Sequence, residues 1–370
     1  MAHYLIWMSP EPGHIIPTIK VARDLTRAGH TVTYQAPGAL GCDLSKLGFS
    51  TIGFFDDLCG SVNISMHKST KSVLAYFSPI NARYPGADVT RAVRCELLAA
   101  VESVGADLLI VDGAYDAIFG LEMHLHLPSC CALGRVYTHL PYYPIHPDEF
   151  APARGPLIFL SPREFEISSL RYREAFYSEA SFVDIEDASE FDWSAIDRSR
   201  PIIYCSLGSQ SARYSHSLSC LCAIGAAAST VREYFFVINA GRYAKVLKNH
   251  LDEENVAVFD WVPGSGMLAQ SVVMITHGGF GSIKSAIRHR VPILALPQAW
   301  DQPMNAKRVI HHGIGMAIDK AELRPEYIAT SVRTLVTDSA FARNVSMMNA
   351  IFVNSDRNRA TATILEGALA

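Results

Sequence analysis

The chain has 370 residues, 32 basic and 36 acidic side chains, and a net charge of -4 without long runs of either sign. That length exceeds one compact domain of ordinary size and suits two, each with its own core. The dispersed, near-neutral charge excludes a nucleic-acid surface and an acidic tail and points to small-molecule partners. MAHYLIWMSP has no basic region ahead of an apolar core, and no stretch reaches the roughly eighteen apolar residues that would span a bilayer, so a cytoplasmic protein is expected. Eight cysteines sit in apolar segments at no framework spacing, which predicts reduced, buried thiols.

From the start, Tyr4 to Met8 reads as a strand, SPEPGH as a loop, and a helix is expected to begin at Pro17, with Ile19, Ala22 and Leu25 on one face and a stop at Gly29. Thr31 to Tyr34 completes a βαβ unit. A further strand, Asp107 to Val111, ends at Asp112, and a periodic helix is expected from about Tyr115 to His126. The segment VDIEDASEFDWSAIDRSR is acidic and lacks apolar periodicity, which places the interdomain linker between about Val183 and Arg200. Strands follow at Ile202 to Ser206, Tyr234 to Ile238, Val256 to Phe259, Val272 to Thr276 and Pro292 to Leu296, then an amphipathic helix at Arg357 to Leu369. Alternating strands and helices in both halves make the fold class α/β, with two Rossmann-like doubly wound domains at 1–190 and 191–353 and a terminal helix at 354–370.

The chemistry concentrates in ITHGGFGSIKSAIRHRVPILALPQAWDQPMNA, Ile275 to Ala306. An apolar strand stops at His277, and Gly278, Gly279 and Gly281 let backbone N–H groups approach an anion at the start of a helix, a seat for a diphosphate. A second strand delivers Asp301 and Gln302 at its carboxyl end, where open α/β sheets bind ligands, and both side chains suit sugar hydroxyls. Asp301 is equally placed to cap the helix that follows.

HGGxGS, a helix and PQxxDQxxNA together resemble the donor-site signature of inverting glycosyltransferases of the GT-B fold, the class that glucosylates plant metabolites, macrolides and glycopeptides. The resemblance implies two domains facing across a cleft, with the last helix crossing back onto the first domain. It also implies a nucleoside diphosphate sugar as co-substrate, a small, largely apolar acceptor, and neither cofactor nor metal. It carries no information on oligomeric state, so a homodimer stays open.

Inverting transfer needs a base for the acceptor hydroxyl, and an imidazole titrating near neutrality suits it. His14, in PGHIIP, looks like the GHxxP segment that supplies the base, and Asp112 falls where the family keeps the carboxylate that orients it. Taken singly, each is also an ordinary turn or strand-end residue. The resemblance makes His277, Gly279 and Ser282 donors to the leaving diphosphate and adds Ser209, in CSLGSQ, which reads equally well as a turn serine. Trp261, in FDWVPGSG, is similar to the WxPQ aromatic that stacks on the base while the following backbone, at Val262, bonds its edge; Gly264 stands where the glutamine is usual.

Ser285, eight residues after His277, replaces the glutamate that usually bonds both ribose hydroxyls of a uridine donor. Without a 2′-hydroxyl to meet, such a carboxylate would cost about 1–3 kcal/mol in lost solvation, so a small residue favours a thymidine diphosphate sugar, ahead of a uridine one. Lys284 beside it reads as a solvated helix residue. Tyr137, Tyr142 and Tyr143 are candidate acceptor contacts. His124, His126, Cys130 and Cys131 lack zinc-site spacing and are not taken as metal ligands. The competing readings are a sugar-nucleotide epimerase of the same fold and a non-catalytic homologue that binds a nucleotide or a partner protein.

Overall fold

The structure, a computed structural model, describes residues 1–56, 80, 82–84, 88–113, 131–138, 155–167, 175–183, 191–209, 211, 214–251 and 253–369. The expected helix at Tyr115 to His126, and with it His124, His126 and Cys130, lies outside those residues, as do Tyr142 and Tyr143.

Two wholly parallel sheets organise the chain. The first contains β1 (His3–Trp7), β2 (Thr31–Gln35), β3 (Ser50–Ile52), β4 (Leu108–Asp112), β5 (Ala132–Tyr137), β6 (Leu157–Phe159) and β7 (Phe176–Tyr177), in the order β3-β2-β1-β4-β5-β6-β7. The second contains β8 (Ile202–Ser206), β9 (Phe235–Asn239), β10 (Val256–Phe259), β11 (Ser271–Thr276), β12 (Ile293–Ala295) and β13 (Gly315–Ala317), in the order β10-β9-β8-β11-β12-β13. Both sheets therefore start in the middle, build outward one way and then reverse. The reversal opens a crevice beside β1 and β4 in the first sheet and beside β8 and β11 in the second, the places where such sheets bind ligands.

Burial on both faces explains the near-continuous apolar strands. In the first sheet Leu5, Trp7, Leu109 and Val111 face one buried cluster while Tyr4, Ile6, Leu108 and Ile110 face another. In the second, Ile203, Cys205 and Ile275 alternate in the same way with Ile202, Tyr204 and Met274. The last of these clusters also takes in Phe159, Phe165 and Ala180 from the first lobe, so the lobes share apolar packing.

Three expectations change. The first helix, α1, runs Pro12–Arg27 and not from Pro17. Pro12 takes its first turn, where a missing N–H costs nothing, and Pro17 lies inside the helix, where it forgoes the bond to the Gly13 carbonyl. His14 is consequently a first-turn helix residue, not a loop residue. The last helix is shorter than expected, Ala360–Gly367, and it packs on α1 with Ala362 and Leu365 buried among Ile6, Leu108 and Ile110. The thiols are free as expected at the six described cysteines, yet only Cys131, Cys205 and Cys220 are buried. Cys42, Cys95 and Cys222 face outward from helices whose opposite faces are covered.

Candidate active site

At the first crevice, the chain leaving β1 turns tightly, with Glu11 N–H donating to the Ser9 carbonyl at 2.7 Å, and α1 begins at once. That turn brings His14 over the end of β4, where its Nδ1 lies 2.6 Å from Asp112 Oδ2. Asp112 is buried and also accepts from the Ser9 N–H at 3.0 Å, so its carboxylate is fixed from two sides. Nδ1 is committed to Asp112, and Glu11 Oε2 stands 3.8 Å from the other ring nitrogen, Nε2. Burial opposes the charged ring, but the Asp112 charge and hydrogen bond, then Glu11 and Asp301, outweigh it and raise His14 to about 9. The near-neutral titration expected from sequence is corrected accordingly: sequence shows one carboxylate partner, and three act on the ring.

At the second crevice, the β8 and β11 ends meet through glycine. Gly208 has φ +76°, and a Cβ there would lie 2.5 Å from His277 Cε1; a Cβ on Gly279 would lie 2.5 Å from His277 Nε2. The imidazole thus occupies the space of two missing side chains. Burial pushes His277 down to about 4 against the opposing Asp301 charge, so the ring is neutral at ordinary pH and holds one N–H. Gly278, at φ +84°, turns the chain into a helix at Phe280–His289 whose first turn no side chain caps. Uncapped N–H groups at a helix start favour an anion. Gly281 is exposed with open space beside its Cα, and Ser282 is half-buried.

Asp301 stands at the N-cap of the helix Gln302–His311, but its side chain makes no capping bond; Oδ2 accepts from Asn305 Nδ2 at 2.7 Å. Its charge bears on His14 of one lobe and on His277 of the other, so the carboxylate lies near both rings. Gln302 is engaged differently from the expected sugar ligand. Its Oε1 accepts the N–H groups of Gln298 and Ala299 at 2.8 and 3.0 Å, and its Nε2 donates to the Tyr214 hydroxyl at 2.9 Å. The buried amide holds the loop that presents Asp301 and the exposed Trp300, itself at φ +59°.

Ser209 is exposed just past β8, and Trp261 is half-buried after β10, with the Val262 side chain in the core. Ser285 is half-buried and its hydroxyl donates back to the Gly281 carbonyl at 3.0 Å. Tyr137 is buried, its ring tilted against Phe159 with centroids 5.0 Å apart and packed against Gly113, next to Asp112. Among the described residues no group of three His, Cys, Asp or Glu side chains could hold a metal ion.

Residues 233–358 match the C-terminal domain of the erythromycin biosynthesis protein CIII-like family. The whole chain is 25% identical to an oleandomycin glycosyltransferase of Streptomyces antibioticus, over 91% of that protein. Among solved structures, a glycosyltransferase of kitacinnamycin superposes with a TM-score of 0.76 at 21% identity, covering 100% of this chain and 99% of that one. The spinosyn rhamnosyltransferase SpnG complexed with thymidine diphosphate superposes at 0.68 and 19% identity, covering 98% and 100%. Over its whole length the chain is similar to natural-product glycosyltransferases, and its fold is GT-B.

Two residues that shape the site of this glycosyltransferase escape sequence reasoning. Gly208 follows an apolar strand in CSLGSQ, and a strand-to-turn glycine there is the signal that could have found it. Asn305 lies inside the quoted PQxxDQxxNA run, but nothing in its spacing announces that it bonds both Asp301 and the Gly278 carbonyl, at 2.7 and 3.0 Å. Lys284 is a correction: it is buried, not solvated. Its Nζ donates to the Ala180 carbonyl at 2.8 Å across the lobe boundary, because the helix bearing it lies against the first lobe. Desolvation lowers Lys284 to about 8, with Asp356 and Glu179 opposing.

Proposed function

We propose that this glycosyltransferase moves a sugar from a thymidine diphosphate donor to a hydroxyl of a small, largely apolar natural product. The observation that carries the reading is the His14–Asp112 pair, 2.6 Å apart, with Asp301 near enough for its charge to act on both His14 and His277. In this reading His14 Nε2 takes the acceptor proton as the acceptor oxygen bonds the anomeric carbon. The bond from that carbon to the diphosphate breaks on the opposite face, inverting the centre, and the electron pair leaves with the diphosphate. Asp112 holds the ring and balances its charge. The glycine turn, the N–H of neutral His277 and the Ser282 and Ser209 hydroxyls receive the departing charge, so the reaction is assigned no metal ion. Asp301 takes sugar hydroxyls, and Trp261 with the Val262 backbone takes the base.

Support for thymidine comes from Ser285. Its short side chain turns back onto Gly281, and position 285 presents no carboxylate to a ribose 2′-hydroxyl. Superposition on an enzyme complexed with thymidine diphosphate agrees with that choice. The cytoplasm, where thiols stay reduced, suits the free cysteines. Thermal shifts with thymidine and uridine diphosphates test the donor assignment, since a ligand stabilises the fold more the tighter it binds. Stronger stabilisation by the uridine compound overturns it.

A further inference from the structure

Glu166 follows β6 in the chain of the first lobe, yet its segment is inserted into the second. Phe165 stacks on Phe280 and His312 with ring centroids 5.6 and 5.4 Å away, and its carbonyl is 2.9 Å from His312 Nε2. Beside it, Glu166 receives Arg308 through two parallel bonds, Nε to Oε1 and Nη2 to Oε2, both 2.8 Å. Arg308 Nη1 donates onward to Asn305 Oδ1 at 2.9 Å. The Asn305 amide then spends its nitrogen on Asp301 Oδ2 and the Gly278 carbonyl. Glu166, Arg308 and Asn305 are each at most 1% exposed.

A buried ion pair is a poor way to add stability, because desolvating both charges offsets their attraction, and an apolar pair of similar volume would serve packing as well. What the bidentate geometry supplies is direction: the fork fixes the guanidinium plane, the guanidinium fixes which end of the Asn305 amide is oxygen, and that leaves the NH₂ end facing Asp301 and Gly278. We propose that Glu166, Arg308 and Asn305 are positioning residues that carry the seating of the first lobe to the two donor-binding loops, setting the Asp301 carboxylate and the glycine turn together. This rests on the reading of those loops as the donor site. The relay makes donor binding sensitive to a contact in the other lobe, and none of its three members touches the donor.

The test uses the full chain and two probes: thymidine diphosphate binding by calorimetry, and the His14 titration followed by NMR of histidine-labelled protein. The charged groups acting on His14 are Asp112, Glu11 and Asp301, so displacing Asp301 moves its midpoint while a loss of stability alone does not. The variants are Asn305→Ala and the paired Glu166→Gln, Arg308→Gln, which keeps two bonded side chains without a buried charge. If the pair fails to fold, Arg308→Lys keeps the ion pair and releases Asn305. The expected result in folded variants is a weakening of thymidine diphosphate binding by about tenfold, the scale of one buried hydrogen bond lost, with a lower His14 midpoint. Asn305→Ala should lower that midpoint no further in an Asp301→Asn background. Folded variants that bind as the parent does and titrate unchanged overturn the relay. A parent that binds neither thymidine nor uridine diphosphate instead overturns the donor-site reading beneath it.

Discussion

His14 and Asp112 stand 98 residues apart in sequence and 2.6 Å apart in space, joined at the crevice where the first sheet reverses its strand order. The pairing commits Nδ1, so Nε2 is the nitrogen assigned to the acceptor proton. His14→Ala should lower transfer by about a hundredfold to ten-thousandfold, the usual worth of a positioned base, while thymidine diphosphate binding persists. Product formation and calorimetry measure the two; unchanged transfer removes His14 as the base.

The raised titration of His14 sets a pH dependence. With a midpoint of about 9, the ring is mostly protonated at neutral pH, so kcat/KM should climb with pH and level off above that value. Asp112→Asn withdraws the strongest support for the charged ring, moving the inflection to lower pH and reducing the plateau rate. Stability runs the other way. A histidine titrating above its unfolded value near 6.5 contributes fully below that pH and loses its contribution as pH rises through about 9. Urea melts between pH 6 and 10 should fall more steeply for the parent than for His14→Gln, and parallel curves would contradict the assignment.

Gly208→Ala tests the fit of His277 between two glycines. The substitution puts a Cβ 2.5 Å from His277 Cε1 on a backbone at φ +76°, where an L side chain alone costs about 1–2 kcal/mol. His277 must move, so both the melting temperature and thymidine diphosphate affinity should drop. Retained affinity with only a lower melting temperature would separate the ring from the diphosphate seat.

Ser285→Glu supplies the carboxylate that a uridine donor uses. The ratio of uridine to thymidine diphosphate affinity should rise by about tenfold, the worth of a charged hydrogen bond to the 2′-hydroxyl. A ratio that does not change would mean the ribose lies elsewhere.

Much of this molecule is legible in one dimension, and the exceptions share a cause. The strands β8 and β10 match their expected bounds, since apolar runs buried on both faces end sharply at turns. His277, its glycines and Asp301 were readable because the need for a close backbone approach leaves local marks. Pro12 and Pro17 both satisfy the rule for a helix start, and tertiary packing of Ile15 decided for the earlier one. The burial of Lys284 and the bonds of Gln302 and Asn305 depend on partners as far as 104 residues away, beyond any periodicity.

Phe182 N–H donates to Asp356 Oδ1 at 3.1 Å, and the rings of Phe182 and Phe352 stack 6.0 Å apart. These residues lie on the two stretches by which the polypeptide passes between the lobes, outward near Phe182 and back near Asp356. With the Lys284–Ala180 bond and the Glu166–Arg308 fork, this clasp makes three separate fastenings between the lobes, so any parting of the two would have to break buried polar bonds as well as slide two aromatic rings.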